Sequence, residues 1–104
     1  MGRRKIVPSL IANFLSPLAL AVWILDDGCK LKNKGIRFAT NSFHLGDVQF
    51  LSNVLFDKYN LKTAIHKTGD INQYNLYVIK ESSIILSNIV KPYIHPTMYY
   101  KIYT

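Results

Sequence analysis

Residues 18–25 read LALAVWIL, an unbroken apolar run that stops on Asp26, Asp27 and Gly28. Ser16 and Pro17 ahead of it form a strong helix start, with Ser at the cap and Pro at the first helical position. The pattern predicts a helix from there to about Asp27, with Gly28 as its left-handed stop. Such a helix is apolar on nearly every face and must be surrounded, one side by its own domain and another by a partner. Its end is just as constraining. A helix C-terminus already carries about half a negative charge, so adjacent aspartates oppose both the dipole and each other. Lys, Arg or Asn is the ordinary residue there.

The run is too short to cross a bilayer, which takes about 20 apolar residues. Pro8, Asn13, Ser16 and Pro17 interrupt the chain before it, and no small-residue cleavage site follows. Neither a membrane span nor a secretory signal is expected. With 104 residues the sequence suits one small domain, residues 1–104, whose first 15 residues read as linker-like. A hydrophobic share of 49% against 18% charged residues argues against disorder. The net charge of +7 makes a polyanion the natural partner, either nucleic acid or an anionic membrane surface. Cys29 is the lone cysteine, which excludes an internal disulfide and a Cys-based zinc site. His44, His66 and His95 lack metal-ligand spacing. A reducing, intracellular compartment fits best.

After Gly28 the period shortens to two. Strands are expected over residues 29–32 and 36–41, around the turn Asn33-Lys34-Gly35. Alternation places Lys30 and Lys32 on the face away from Leu31, and Arg37, Ala39 and Asn41 away from Ile36, Phe38 and Thr40. Asn41 or Ser42 is expected to cap a second helix, with Val48, Leu51, Val54 and Leu55 inward and an end near Tyr59-Asn60. A second hairpin follows, residues 62–67 and 72–79 about Thr68-Gly69-Asp70. Lys62, Ala64 and His66 share one of its faces, as do Gln73, Asn75 and Tyr77. A third helix over residues 80–90 is expected to bury Ile84, Ile85, Ile89 and Val90, and a short helical tail starts at Pro96. The fold class is α+β, an antiparallel sheet with helices on one face and a cationic face left open.

This order, αββαββα with an acid closing the first helix, resembles the LAGLIDADG homing endonucleases. Leu20 to Gly28, LAVWILDDG, keeps the opening Leu-Ala and closing Asp-Gly of the nine-residue motif. The likeness is strongest to the organelle intron-encoded subgroup, whose second motif reads like WxxDDG. It runs on through IRFATNSF, LKTAIHKTGDINQYNLYV and VKPYIHPTMYYKIY, and so covers nearly all of the chain.

The resemblance implies a site-specific, double-stranded DNA endonuclease with a four-stranded saddle sheet. It also explains the two acids. Paired motif helices from two domains bring two aspartates together over DNA, around Mg²⁺ or another divalent cation. Asp27 is then the catalytic carboxylate and metal ligand, and Asp26 an accessory or solvated group. Lys101 occupies the family position of a basic residue near the catalytic water. Lys30, Lys32, Arg37, Asn41, Lys62, His66, Gln73, Asn75 and Tyr77 are the implied DNA-facing set. Asn41 departs from a glutamine common in the subgroup. A single motif implies a homodimer, or a missing N-terminal half, joined through residues 18–25. The alternatives are an RNA-binding intron maturase and a non-catalytic remnant. The subgroup implies a mitochondrial, or else plastid, location and no membrane.

Overall fold

The structure, a computed structural model, describes residues 15–102 except 33 and 42. Helix α1 spans Pro17–Asp27, strands β1 and β2 span Gly28–Lys30 and Ile36–Phe38, and helix α2 spans Leu45–Tyr59. Strands β3 (Thr63–Lys67) and β4 (Tyr74–Val78) lead to helix α3 (Lys80–Val90), and two 3₁₀ turns follow, Lys91–Tyr93 and Pro96–Lys101. The expected α+β order holds.

The four strands form one antiparallel sheet in the order β1-β2-β4-β3. Ile36, Phe38, Leu76 and Val78 are fully buried on the helix side, together with Leu20, Ile24, Val48, Leu55 and Leu86. Trp23 stacks on Phe38 with ring centroids 3.9 Å apart, which pins α1 to the sheet. In the first hairpin Gly35 is required by space, because a Cβ there would fall 1.8 Å from the Val78 carbonyl oxygen. The second hairpin turns through Gly69 (φ 109°) and Asn72 (φ 59°), both left-handed. Helix α2 ends on Asn60, also left-handed, with its N–H on the Phe56 carbonyl at 2.8 Å. Near that end the Tyr59 hydroxyl donates to the Leu15 carbonyl at 2.6 Å. Burial, and then the neighbouring Tyr93, hold the Tyr59 phenol above its usual pKa.

Several local expectations are corrected. Gly28 is not left-handed; at φ −85° and ψ 150° it is extended and is already the first residue of β1. Glycine is needed there for another reason. A Cβ would lie 2.6 Å from the Ile24 carbonyl oxygen, which accepts the Gly28 N–H. Helix α2 is preceded by His44, without a side-chain cap, so Asn41 does not cap it; Ser42 lies outside the described residues. The chain turns at Thr40, whose carbonyl accepts from Phe43, and this ends β2 at Phe38.

Helix α3 is turned from expectation: Val90 is buried and Ile89 packs against the core as expected, but Ile84 and Ile85 do not point inward. Ser82, Ser83, Leu86, Ser87 and Val90 are buried, while Ile84 and Ile85 are 62% and 45% exposed. The serines can be inside because each hydroxyl has a partner. Ser82 Oγ accepts from the Lys62 N–H at 2.9 Å, and Ser83 Oγ donates to the Lys80 carbonyl at 2.7 Å. Ser87 Oγ lies within reach of the Ser83 and Ile102 carbonyls at 2.7 and 3.0 Å. Small, satisfied side chains let α3 come close to its neighbours.

Candidate active site and nucleic-acid interface

The acidic end of α1 runs into β1 with no intervening loop, so the carboxylates stand where the sheet begins. Ser16 Oγ accepts from the Ala19 N–H at 3.1 Å and fixes the opposite end of the helix. Asp26 is exposed and Asp27 half-buried. The Ala39 N–H donates to the Asp27 carbonyl at 3.0 Å, one rung beyond the Gly28–Phe38 pair. No basic residue lies in the last turn of α1. The repulsion expected from the sequence is therefore built into the helix itself.

Lys101 comes to the same point from the far end of the chain. Its ammonium donates to the Gly28 carbonyl at 3.0 Å, next to Asp27 in the chain. The 3₁₀ turn carrying Lys101 is anchored by buried Ile102, whose carbonyl accepts from Ser87. Lys101, more than seventy residues along the chain, thus reaches the backbone next to Asp27 at one corner of the sheet. Among the described residues no group of three or more His, Cys, Asp or Glu could hold a metal ion. The donors that are present, carboxylates beside an open surface, fit a hard cation such as Mg²⁺, which takes one or two carboxylates together with phosphate and water.

The open face is set by strand register. One rung runs Cys29, Arg37, Tyr77, Ala64 and the next includes the Asn75–His66 pair. His66 meets Tyr77 edge-on, with ring centroids 5.0 Å apart. The Asn75 Oδ1 is buried and has no hydrogen-bond partner. Of the expected set, Arg37, His66, Asn75 and Tyr77 share this face. Lys32, Asn41, Lys62 and Gln73 lie just outside the strands, in turns or at strand ends.

Lys30 is a correction. It pairs with Ile36, which pairs with Val78, so its parity is that of the buried face; its ammonium turns back to the Leu31 carbonyl at 3.1 Å. Cys29, exposed, stands where Lys30 was expected. The cause is Gly28. Read as a helix cap it leaves the strand parity open, whereas as the first residue of β1 it puts Cys29 on the open side.

Helix α1 leaves one flank uncovered. Leu20, Ala21 and Ile24 are buried, while Leu18 and Val22, one turn apart, are 54% and 50% exposed. Among the described residues no helix is long and apolar enough to cross a membrane.

Comparison with known proteins agrees with the geometry. Residues 1–86 match the model of the LAGLIDADG DNA endonuclease family. The chain is 52% identical over 102 residues to the cytochrome b mRNA maturase bI2 of Saccharomyces cerevisiae, covering 97% of this chain and 24% of that protein. It is 45% identical over 92 residues to the intron-encoded endonuclease ai4 of Dictyostelium discoideum, covering 88% and 57%. Among solved structures it superimposes on the homing endonuclease I-WcaI bound to its DNA recognition sequence. The TM-score is 0.82 at 33% identity, over 96% of this chain and 46% of that one. The chain thus spans about a quarter of the maturase and about half of each of the other two. With its motif helix, sheet and corner of acid and base, it belongs to the LAGLIDADG DNA endonuclease family.

Proposed function

We propose that this chain is one half of a metal-dependent, site-specific DNA endonuclease, completed by a second domain that packs on α1. The observation that carries the reading is the placement of Asp27. It closes a helix whose flank is apolar and exposed, at the edge of an open sheet face in a protein of net charge +7. One carboxylate opposed by a helix dipole is an unfavourable arrangement. Two such ends brought together would make a site for a divalent cation, held by Asp27 and by the corresponding acid of the second domain. A divalent cation held there by Asp27 would supply polarisation of the scissile phosphate and a lower pKa for the attacking water.

This chain's own residues do the rest. Arg37, His66, Asn75 and Tyr77 offer donors and acceptors to base edges and phosphates, and Lys32 and Lys62 add charge at the strand ends. Asn75 shares this face, and its amide can offer a donor and an acceptor to a base once it turns outward. Lys101, held on the Gly28 carbonyl, places positive charge beside the acid, where negative charge develops during hydrolysis. The second domain is either another copy or the other half of a longer enzyme. A mitochondrial setting belongs to the same proposal and rests on relatives named for the cytochrome b message.

The maturase reading is kept because a 52% identical relative bears that name. It draws on the cationic surface and does not need Asp27. One experiment addresses both. The mass in solution is measured by light scattering, with and without duplex DNA and Mg²⁺, and Asp27→Asn is assayed for DNA cleavage and for intron splicing. Association with metal-dependent cleavage that Asp27→Asn abolishes supports the endonuclease. Splicing that survives Asp27→Asn supports the maturase. A chain that stays monomeric on DNA and cuts nothing overturns the homodimeric endonuclease and leaves the chain as half of a longer enzyme or a remnant.

A further inference from the structure

The 3₁₀ turn that delivers Lys101 is itself held by a residue to which neither the motif nor the proposed function assigns a part. His95 precedes Pro96, the first residue of the turn, and occupies its cap position. Its Nδ1 lies 3.2 Å from the Thr97 N–H and 2.8 Å from the Thr97 hydroxyl. The Thr97 N–H donates to this Nδ1, which is the bond that caps the turn, and the Thr97 hydroxyl lies beside the same nitrogen. The His95 carbonyl accepts from Met98 at 2.8 Å, which closes the first turn. At the other end Ile102, 1% exposed, is seated in the core. Its N–H donates to Tyr99 and its carbonyl accepts from Ser87. Between these two anchors the Lys101 ammonium reaches back to the Gly28 carbonyl, at the junction of the motif helix and β1.

We propose that His95 is a positioning residue for Lys101. By capping the turn it fixes the path along which the lysine side chain reaches the end of α1. The physical reason lies in the turn type. A 3₁₀ turn has poorer hydrogen-bond geometry than an α-helix and is seldom stable beyond a few residues without help at its ends. This one spans six residues, Pro96–Lys101, and none of them is buried. Met98 and Tyr99 pack against the core from its middle, whereas its entry, Pro96 and Thr97, is exposed and is held by its cap. His is not among the favoured cap residues, but its ring acceptor does here what a Ser or Asn oxygen does elsewhere. The proposal rests on the reading that Lys101 works at the corner with Asp27, yet the coupling from His95 to Lys101 can be measured without cleavage.

The test is competitive acetylation of the full chain with acetic anhydride, each lysine's rate being read by mass spectrometry. It compares the unmodified protein with His95→Ala and His95→Asn, with no nucleic acid present. In the unmodified protein Lys101 reacts several-fold more slowly than the exposed Lys34 and Lys80. His95→Ala speeds Lys101 alone by about fivefold, the ratio that a typical lost cap corresponds to. His95→Asn, which restores a side-chain acceptor, returns the rate to within about twofold of the original. Amide exchange at Thr97 and Met98 rises and falls with it. An unchanged Lys101 rate in His95→Ala overturns the proposal. So does a uniform acceleration of every lysine, which makes His95 a residue of general stability, and so does failure of His95→Asn to restore the slow rate. Because no cleavage is read, an inactive chain does not imitate any of these outcomes.

Discussion

The Lys101 ammonium donates to the Gly28 carbonyl at 3.0 Å, tying the turn Pro96–Lys101 to the residue after the motif aspartates. Gly28 is constrained from both sides: its carbonyl takes the lysine, and its Cα has no room for a side chain. A Cβ there meets the Ile24 carbonyl oxygen at 2.6 Å and its Cα at 2.9 Å, both backbone atoms of α1. Gly28→Ala is therefore expected to destabilise the domain by about 2 kcal/mol or more. Urea unfolding followed by circular dichroism measures it. A loss below about 0.5 kcal/mol would show that the helix end yields easily.

The exposed flank of α1 gives a second expectation. Leu18 and Val22 are about half exposed, so charged residues there remove little from the isolated domain. Leu18→Glu with Val22→Glu is expected to change unfolding free energy by less than about 1 kcal/mol. Self-association on DNA should weaken by tenfold or more, since two carboxylates would be desolvated in an apolar contact. Sedimentation with a duplex measures the second quantity. Unaltered association of the double variant would move the contact away from α1.

Most of this fold was legible because burial follows simple periods. The four positions named for α2, Val48, Leu51, Val54 and Leu55, are its buried residues. The Ser16-Pro17 start of α1 is where the sequence puts it. Two kinds of information were hidden. Strand parity in β1 depends on whether Gly28 ends a helix or begins a strand, and that is set by the approach of Ile24, not by any local pattern. The inward face of α3 depends on whether serine hydroxyls find acceptors. Ser82 is paired to the backbone at Lys62 and Ser87 to Ile102, both distant in sequence. The corner of the site was legible only as separate residues. That Lys101 reaches Gly28 is a property of the tertiary fold.

The exposure of Ile84 and the burial of Ser87 on α3 can be checked directly. Ser87 is 2% exposed with its hydroxyl on two carbonyls, so Ser87→Ala should cost about 1 kcal/mol. Ile84→Lys, at a position 62% exposed, should be close to neutral, within about 0.5 kcal/mol. Thermal or urea unfolding of both variants decides it. The reverse ranking would restore the isoleucine face to the core.

Register on the open face makes a chemical prediction, because the two adjacent residues Cys29 and Lys30 lie on opposite sides of the sheet. Maleimide labelling of Cys29 should slow by about tenfold or more when duplex DNA saturates the protein at low salt. In a Cys29→Ser background, a thiol introduced as Lys30→Cys should be protected far less. Equal protection at both positions would mean that DNA does not lie along this face. Raising the salt should release the protection at Cys29, as expected for a contact driven by phosphate charge.

Asn75 carries the last expectation, in which stability and binding move in opposite directions. Its Oδ1 is buried and unpaired in the free protein, which costs about 1–3 kcal/mol for a group of that kind. Valine suits a central strand, and β4 lies between β2 and β3. Asn75→Val should therefore unfold at a higher temperature than the original chain. If the amide turns outward to a base or a bridging water when DNA binds, the same change should weaken duplex binding by several-fold to a hundredfold, with little effect on its salt dependence. Melting curves and fluorescence anisotropy titrations at two salt concentrations give both answers. Higher stability with unchanged binding would make Asn75 a bystander on the open face. Lower stability would mean that its amide makes contacts in solution that offset the burial.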